Sequence, residues 1–169
     1  MQNNQYWRQD DPRLNERQAW PKDVFPDANY AWFRESGCLV CSLAAMLLRS
    51  GLEKNTEEEP FNPWILNQRL IACGAFTPEA DLELDDIWKL YPLRYIGSIP
   101  YSWDTLKQLV ENGSLCLVTV LGIRGPRHFT AVLHLTEDDA VLFDPICGER
   151  KLREVDRVCE IREFRRTDA

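Results

Sequence analysis

Between Cys38 and Arg49 the apolar side chains recur at helical spacing. Leu39, Leu43, Met46 and Leu47 form one stripe, and Val40, Ala44 and Leu48 widen it. Ser36-Gly37 breaks the chain before this helix, and Gly51 stands where a C-terminal cap belongs. The alanines and Ser42 predict a helix packed closely on other elements, central in the fold and not a surface amphipath. A second helix is predicted over Pro63 to Cys73, with Asn62 as cap, Pro63 in the first turn and Gly74 closing it. A short one follows at Leu84 to Leu90, stopped by Tyr91-Pro92. A fourth runs from its cap Ser102 to Asn112, with Trp103, Leu106, Leu109 and Val110 as its apolar face.

From Leu115 the period changes to that of strands. Leu115 to Leu121, His128 to Leu135, Ala140 to Phe143, Lys151 to Val155 and Val158 to Phe164 read as strands. Gly122 to Arg127, Glu137 to Asp139 and Cys147-Gly148 read as turns between them. Residues 1–36 carry no helical period and are punctuated by Pro12, Pro21 and Pro26. They read as an extended segment that lays Trp7, Trp20, Tyr30 and Trp32 on the surface. The expectation is one α+β domain over 1–169: an extended segment (1–36), a helical part (37–113) and an antiparallel sheet (114–166).

Composition narrows the function. Hydrophobic residues make up 44% of the chain and aromatics 11%, enough for a real core. With 20 Lys and Arg against 27 Asp and Glu, the net charge is −7. That argues against broad binding to nucleic acid or to an anionic membrane, since both are polyanions. The longest apolar run, Cys38 to Leu48, is too short to span a bilayer. The polar start, Met1 to Asp11, lacks the apolar core of a signal peptide. A cytoplasmic location is expected, with export by another route left open.

Of the six cysteines, Cys116 and Cys159 sit in strand-like runs and Cys73 near a helix end, which suits buried thiols. Cys38-x-x-Cys41 has the spacing of a redox or zinc motif, but no second pair accompanies it, and tetrahedral zinc needs about four ligands. No metal or other cofactor is implied.

Cys38 begins a helix directly after Gly37. The unpaired N–H groups and dipole at that end favour a thiolate, the nucleophilic form of cysteine. Of the two histidines, His128 starts a strand after Gly125-Pro126, where it can reach a cleft, whereas His134 lies six residues on, toward the far end, and reads as structural. Asp144 ends the next strand. Antiparallel pairing brings that end beside the start of the His128 strand, so Asp144 can accept a ring N–H and hold the imidazole as the third member of a triad does. A developing oxyanion needs donors. The Cys38 backbone N–H supplies one, and either Gln9 or Gln18 can supply a second.

Together these segments resemble papain-like cysteine peptidases of the bacteriocin-processing (double-glycine leader peptidase) type. Ser36-Gly37-Cys38-Leu39-Val40-Cys41-Ser42-Leu43-Ala44 is similar to their Gly-Cys-x-x-[Thr/Cys]-Ser-x-Ala helix start. Gln9-Asp10-Asp11-Pro12-Arg13, Asn62-Pro63 with Leu66-Asn67, and His128-Phe129-Thr130-Ala131-Val132 followed by Asp144-Pro145 and Gly148 match further segments. Leu14 stands where the family often has Trp, the spacing from Gln9 to Cys38 is long, and Gln18 remains the substitute. The resemblance implies a papain-like fold, Cys38 as nucleophile, His128 as general base and then acid, Asp144 orienting it, and Gln9 in the oxyanion hole. The substrate expected is a peptide or protein, hydrolysed through a thioester acyl-enzyme. Rival readings are an inactive binding module on the same fold, a transglutaminase-like acyl or amine transferase, and a redox or metal protein using Cys38 and Cys41.

Overall fold

The computed structural model describes residues 6–14, 17–28, 32–121 and 127–168. Tyr30 and the turn residues 122–126, including Gly125-Pro126, lie outside them. The chain is α+β. A six-stranded antiparallel sheet has the order β1-β6-β2-β3-β4-β5, with β1 Leu93–Pro100, β2 Leu115–Leu121, β3 Arg127–Leu135, β4 Ala140–Asp144, β5 Gly148–Lys151 and β6 Val158–Arg166. The helices are α1 Phe33–Ser36, α2 Cys38–Arg49, α3 Pro63–Ala72 and α4 Trp103–Glu111, with 3-10 turns at Leu84–Lys89 and Leu152–Glu154. Among the described residues, no helix is long and apolar enough to cross a membrane.

Strand alternation sorts the core into two layers. Leu117, Ala131, Leu133, Phe143 and Phe164 join α2, α3 and the N-terminal segment in one cluster. Cys116, Val118, Val120, Leu142 and Ile161 join Leu106 of α4 in the other. Every residue of α2 from Val40 to Leu48 is buried, as a helix apolar on all sides must be. Asn62 and Ser102 cap α3 and α4, accepting from the N–H groups of Ile65 and Thr105.

Three features depart from the expectation. First, β1 was not anticipated: it lies within the stretch read as helical and pairs with β6, so the helical and sheet parts are not separate in space. Gly97, at φ 148°, coincides with a shift in the β1–β6 register, and Pro100 ends the strand; both weaken the sequence pattern but are tolerated on a sheet edge. Second, the N-terminal segment contributes to the core. Leu14, Ala19, Trp20, Phe25 and Ala28 are buried, Asn67 donates to the Ala19 carbonyl at 2.7 Å, and Trp20 meets Phe76 edge-on at 6.3 Å. Large aromatics have too much apolar area to leave in water when a cluster is within reach. Of the described aromatics expected at the surface, Trp32 counts as exposed, at 37%, while Trp7 is half-buried with the Arg13 guanidinium over its ring. Third, β5 occupies 148–151, and 152–154 form the 3-10 turn rather than a strand.

Gly37 is needed for space rather than for conformational freedom. Its φ of −77° suits any residue, but a Cβ there would lie 2.3 Å from the Phe33 ring and 2.5 Å from the Phe33 carbonyl oxygen. The close approach lets α1 run directly into α2 over the buried Phe33. Gly37→Ala should therefore destabilise the fold by about 1–3 kcal/mol, the usual cost of overpacking. A urea midpoint unchanged from wild type would show that the α1–α2 junction shifts freely.

Candidate active site

His128 is the second residue of β3 and pairs with Val120. On the other side of β3, Ala131 pairs with Phe143. One step further in that register brings Asp144 level with Thr130, two residues from His128 and on the same face. The side chains meet there: His128 Nε2 lies 2.8 Å from Asp144 Oδ1, both residues buried.

Helix α2 brings the third group. Cys38 and Ser42 are one turn apart and share a face. Ser42 Oγ donates to the Phe129 carbonyl at 2.9 Å, next to His128 in the chain, and Arg49 Nε donates to the Leu133 carbonyl at 2.8 Å. The face carrying Cys38 is thus held against the first residues of β3. Cys38 lies close enough to the His128 ring for its sulfur to raise the imidazole pKa. Since Nε2 faces Asp144, Nδ1 is the nitrogen left for Cys38. Cys38 is partly exposed and begins the helix with no acidic residue in its first turn.

The electrostatics follow from this stacking of charges. Burial alone would lower the His128 pKa, but the Asp144 carboxylate and the Cys38 sulfur outweigh it, and the imidazole rises from its ordinary 6.5 to about 9. Burial alone would raise Asp144. Instead the His128 ring, followed by the Ile146 N–H at 2.8 Å, holds it well below the usual carboxylate range. An ionised Asp144 can only accept, so Nε2 carries the proton. Arg150, which sequence reasoning missed, adds a contact of 3.3 Å to Asp144 Oδ2 and anchors on the Glu154 carbonyl at 2.7 Å. Its one sequence signal was position: it stands two residues past Gly148 in the hairpin strand, so it shares that strand's Asp144-side face.

Gln9 and Gln18 part company. Gln9 is buried; its backbone N–H donates to the Pro145 carbonyl at 2.9 Å and its Nε2 to the Arg34 carbonyl at 2.6 Å. It thus ties the chain ahead of Cys38 to the turn after Asp144, and its Oε1 has no partner among the described residues. Gln18 is exposed and pairs through its backbone with Trp32. Cys41, the alternative thiol, is buried, and desolvation drives its pKa well up. His134 is exposed rather than structural, because β3 carries a register shift between Val132 and His134. All six cysteines are free thiols. Among the described residues no three His, Cys, Asp or Glu side chains are grouped to hold a metal ion.

A cleft of about 400 Å³ opens beside Cys38, between the N-terminal segment, α2 and the 76–82 turn. Comparison with protein-family models, curated proteins and solved structures gives no match to this chain. The site has to be read from its own geometry.

Two outcomes are expected of the His128–Asp144 pair. Because folding raises the His128 pKa, the residue stabilises the fold below about pH 6.5 and loses that contribution as pH rises toward 9. Asp144, lowered, contributes above about pH 4 and loses its share below it. Urea unfolding of wild type and His128→Gln should give a stability difference that shrinks between pH 6.5 and 9; a constant difference would contradict the shift. By NMR, the His128 titration midpoint should fall in Cys38→Ala, since the sulfur helps to raise it, and an unmoved midpoint would break the Cys38–His128 contact.

Proposed function

We propose that the chain is a cysteine hydrolase on a papain-like scaffold, cleaving peptide or amide bonds through a thioester. The observation that carries this is a partly exposed thiol at the start of a buried helix, beside an imidazole whose pKa it raises and which a buried carboxylate holds at 2.8 Å. That is the nucleophile, base and orienting group of covalent acyl transfer.

In this reading His128 takes the Cys38 proton at Nδ1, and the sulfur attacks the substrate carbonyl. The tetrahedral oxyanion is met by the Cys38 backbone N–H and by the Nε2 hydrogen of Gln9 not spent on Arg34. His128 then protonates the departing amine, leaving an acyl group on sulfur. A water, deprotonated by His128, attacks the thioester and regenerates the thiol, releasing the acid. Asp144 stays ionised throughout and stabilises the imidazolium, and Arg150 is a positioning residue that acts through it. The α+β sheet, the chain order Gln9, Cys38, His128, Asp144 and the helix-start motif support the papain-like assignment.

Alkylation by iodoacetamide at pH 6.5, with the site read by mass spectrometry, tests the reading. Cys38 should react first and slow at least tenfold in His128→Ala, in keeping with the rate share of a positioned base. Cys41→Ser should leave the rate unchanged. Cys147, exposed as a residue, is a built-in control, because partial desolvation of its sulfur and the neighbouring Asp144 carboxylate push its thiol pKa up. Equal labelling of Cys38 and Cys147, unaffected by His128→Ala, would refute the triad. Cys38→Ala should abolish amide hydrolysis while leaving the unfolding midpoint within about 1 kcal/mol of wild type.

A further inference from the structure

We propose, building on Cys38 as the nucleophile, that the cleft beside it selects a substrate carrying a lysine or arginine side chain near the cleaved bond. The cleft floor is apolar: Trp20, Phe76, Leu82 and Phe129 line it together with Cys38. Its rim carries three carboxylates, Asp27, Glu79 and Asp81, and no basic side chain among the described lining. Several acidic groups elsewhere have cationic partners. Asp11 pairs with Arg13, Glu53 with Arg69, Asp86 with Lys89, Asp139 with Arg153 and Glu163 with Arg165. None of the three at the cleft has a Lys or Arg within ion-pair distance among the described residues, and all three are exposed at its mouth.

A second observation is independent of charge. Trp20 is 7% exposed, yet its indole N–H has no partner among the described residues, and neither has the Ser36 hydroxyl, also in the cleft lining. Buried polar groups left without partners are uncommon and each calls for an explanation; here a bound group that completes the hydrogen bonding is the one proposed. The indole can donate to a substrate carbonyl, and the Ser36 oxygen can accept from an ammonium or an amide. The turn that presents Glu79 and Asp81 is built for position. Thr77 N–H donates to the Asp81 carbonyl and Ala80 N–H to the Thr77 carbonyl, each at 2.9 Å, and Phe76 pairs with Leu82 across its base.

An aliphatic stem on aromatic walls with a cationic tip among carboxylates is the shape of lysine and arginine. A neutral chain of equal length would gain the stem contacts alone. An acidic one would meet three like charges. Arg162 over the Phe129 ring, 5.2 Å from its centroid, already shows a guanidinium on one of these aromatics.

Peptidyl chloromethyl ketones, which Cys38 alkylates by displacing chloride to form a thioether, test the proposal. A panel carries lysine or the isosteric norleucine at each of the three residues before the ketone, and the rate of Cys38 modification is read by mass spectrometry. At one position lysine should react about three- to tenfold faster than norleucine, the range two or three exposed ion pairs supply. The preference should collapse in the Glu79→Gln/Asp81→Asn variant and at raised ionic strength, while the norleucine rate stays constant. Equal lysine and norleucine rates at all positions, or a preference untouched by the double variant, would overturn the specificity and leave the nucleophile standing. If no peptide reagent outpaced plain chloroacetamide, and His128→Ala changed nothing, the nucleophile itself would fall and the specificity with it.

Discussion

Everything about the site depends on a carboxylate that the fold has taken out of water. Asp144 is 2% exposed, and an isolated charge at that depth would be prohibitive. It is tolerated because its oxygens are occupied: the His128 ring, the Ile146 N–H and the Arg150 guanidinium all reach it. The same contacts keep it ionised and give His128 a fixed orientation, with Nε2 inward and Nδ1 toward Cys38. The arrangement is all-or-none in character. Removing either member strands the other as an unpaired buried group, the situation in which polar burial is most costly.

That pair is useful only if Cys38 arrives beside it, which depends on how α2 lies across the sheet. A helix buried from Val40 to Leu48 could slide or rotate on an apolar surface without much penalty. Two polar ties remove that freedom. Ser42 and Arg49, about two turns apart on α2, donate to the Phe129 and Leu133 carbonyls, four residues apart on β3. β4 pairs with β3 only from Ala131 onward, so the Phe129 carbonyl is left available for Ser42. Gln9 adds a third tie from outside, joining the Arg34 and Pro145 carbonyls and so bracketing the site from both sides. The N-terminal segment, with Trp20 and Phe25 in the core, becomes one wall of the cleft.

The charge of −7 acquires a structure when seen residue by residue. Some acidic groups are neutralised locally by an arginine or lysine, whereas Asp27, Glu79 and Asp81, with no such partner among the described residues, gather negative potential at the cleft beside Cys38. A low-dielectric apolar floor below them strengthens that field by focusing it.

Local periodicity was enough to read much of the chain. The 3.6-residue repeat of Cys38–Arg49, the caps Asn62 and Ser102 and the apolar run Leu115–Leu121 are properties of adjacent residues, so sequence alone determined those elements. The placement of Asp144 beside His128 was also legible, because two consecutive antiparallel strands leave few alternatives. What involves distant partners was not. The strand Leu93–Pro100 exists through pairing with β6, some sixty residues on, and its own Gly97 and Pro100 argue against it. Trp20 and Phe25 look like surface aromatics until α2 and the 76–82 turn supply a surface to cover. The difference between Gln9 and Gln18, the hold of Arg150 on Asp144, and the gathering of Asp27, Glu79 and Asp81 at one cleft were decided by tertiary structure alone. Each depends on which carbonyl, carboxylate or open space the completed packing brings within about 3 Å, the reach of a hydrogen bond, and no spacing along the chain encodes that.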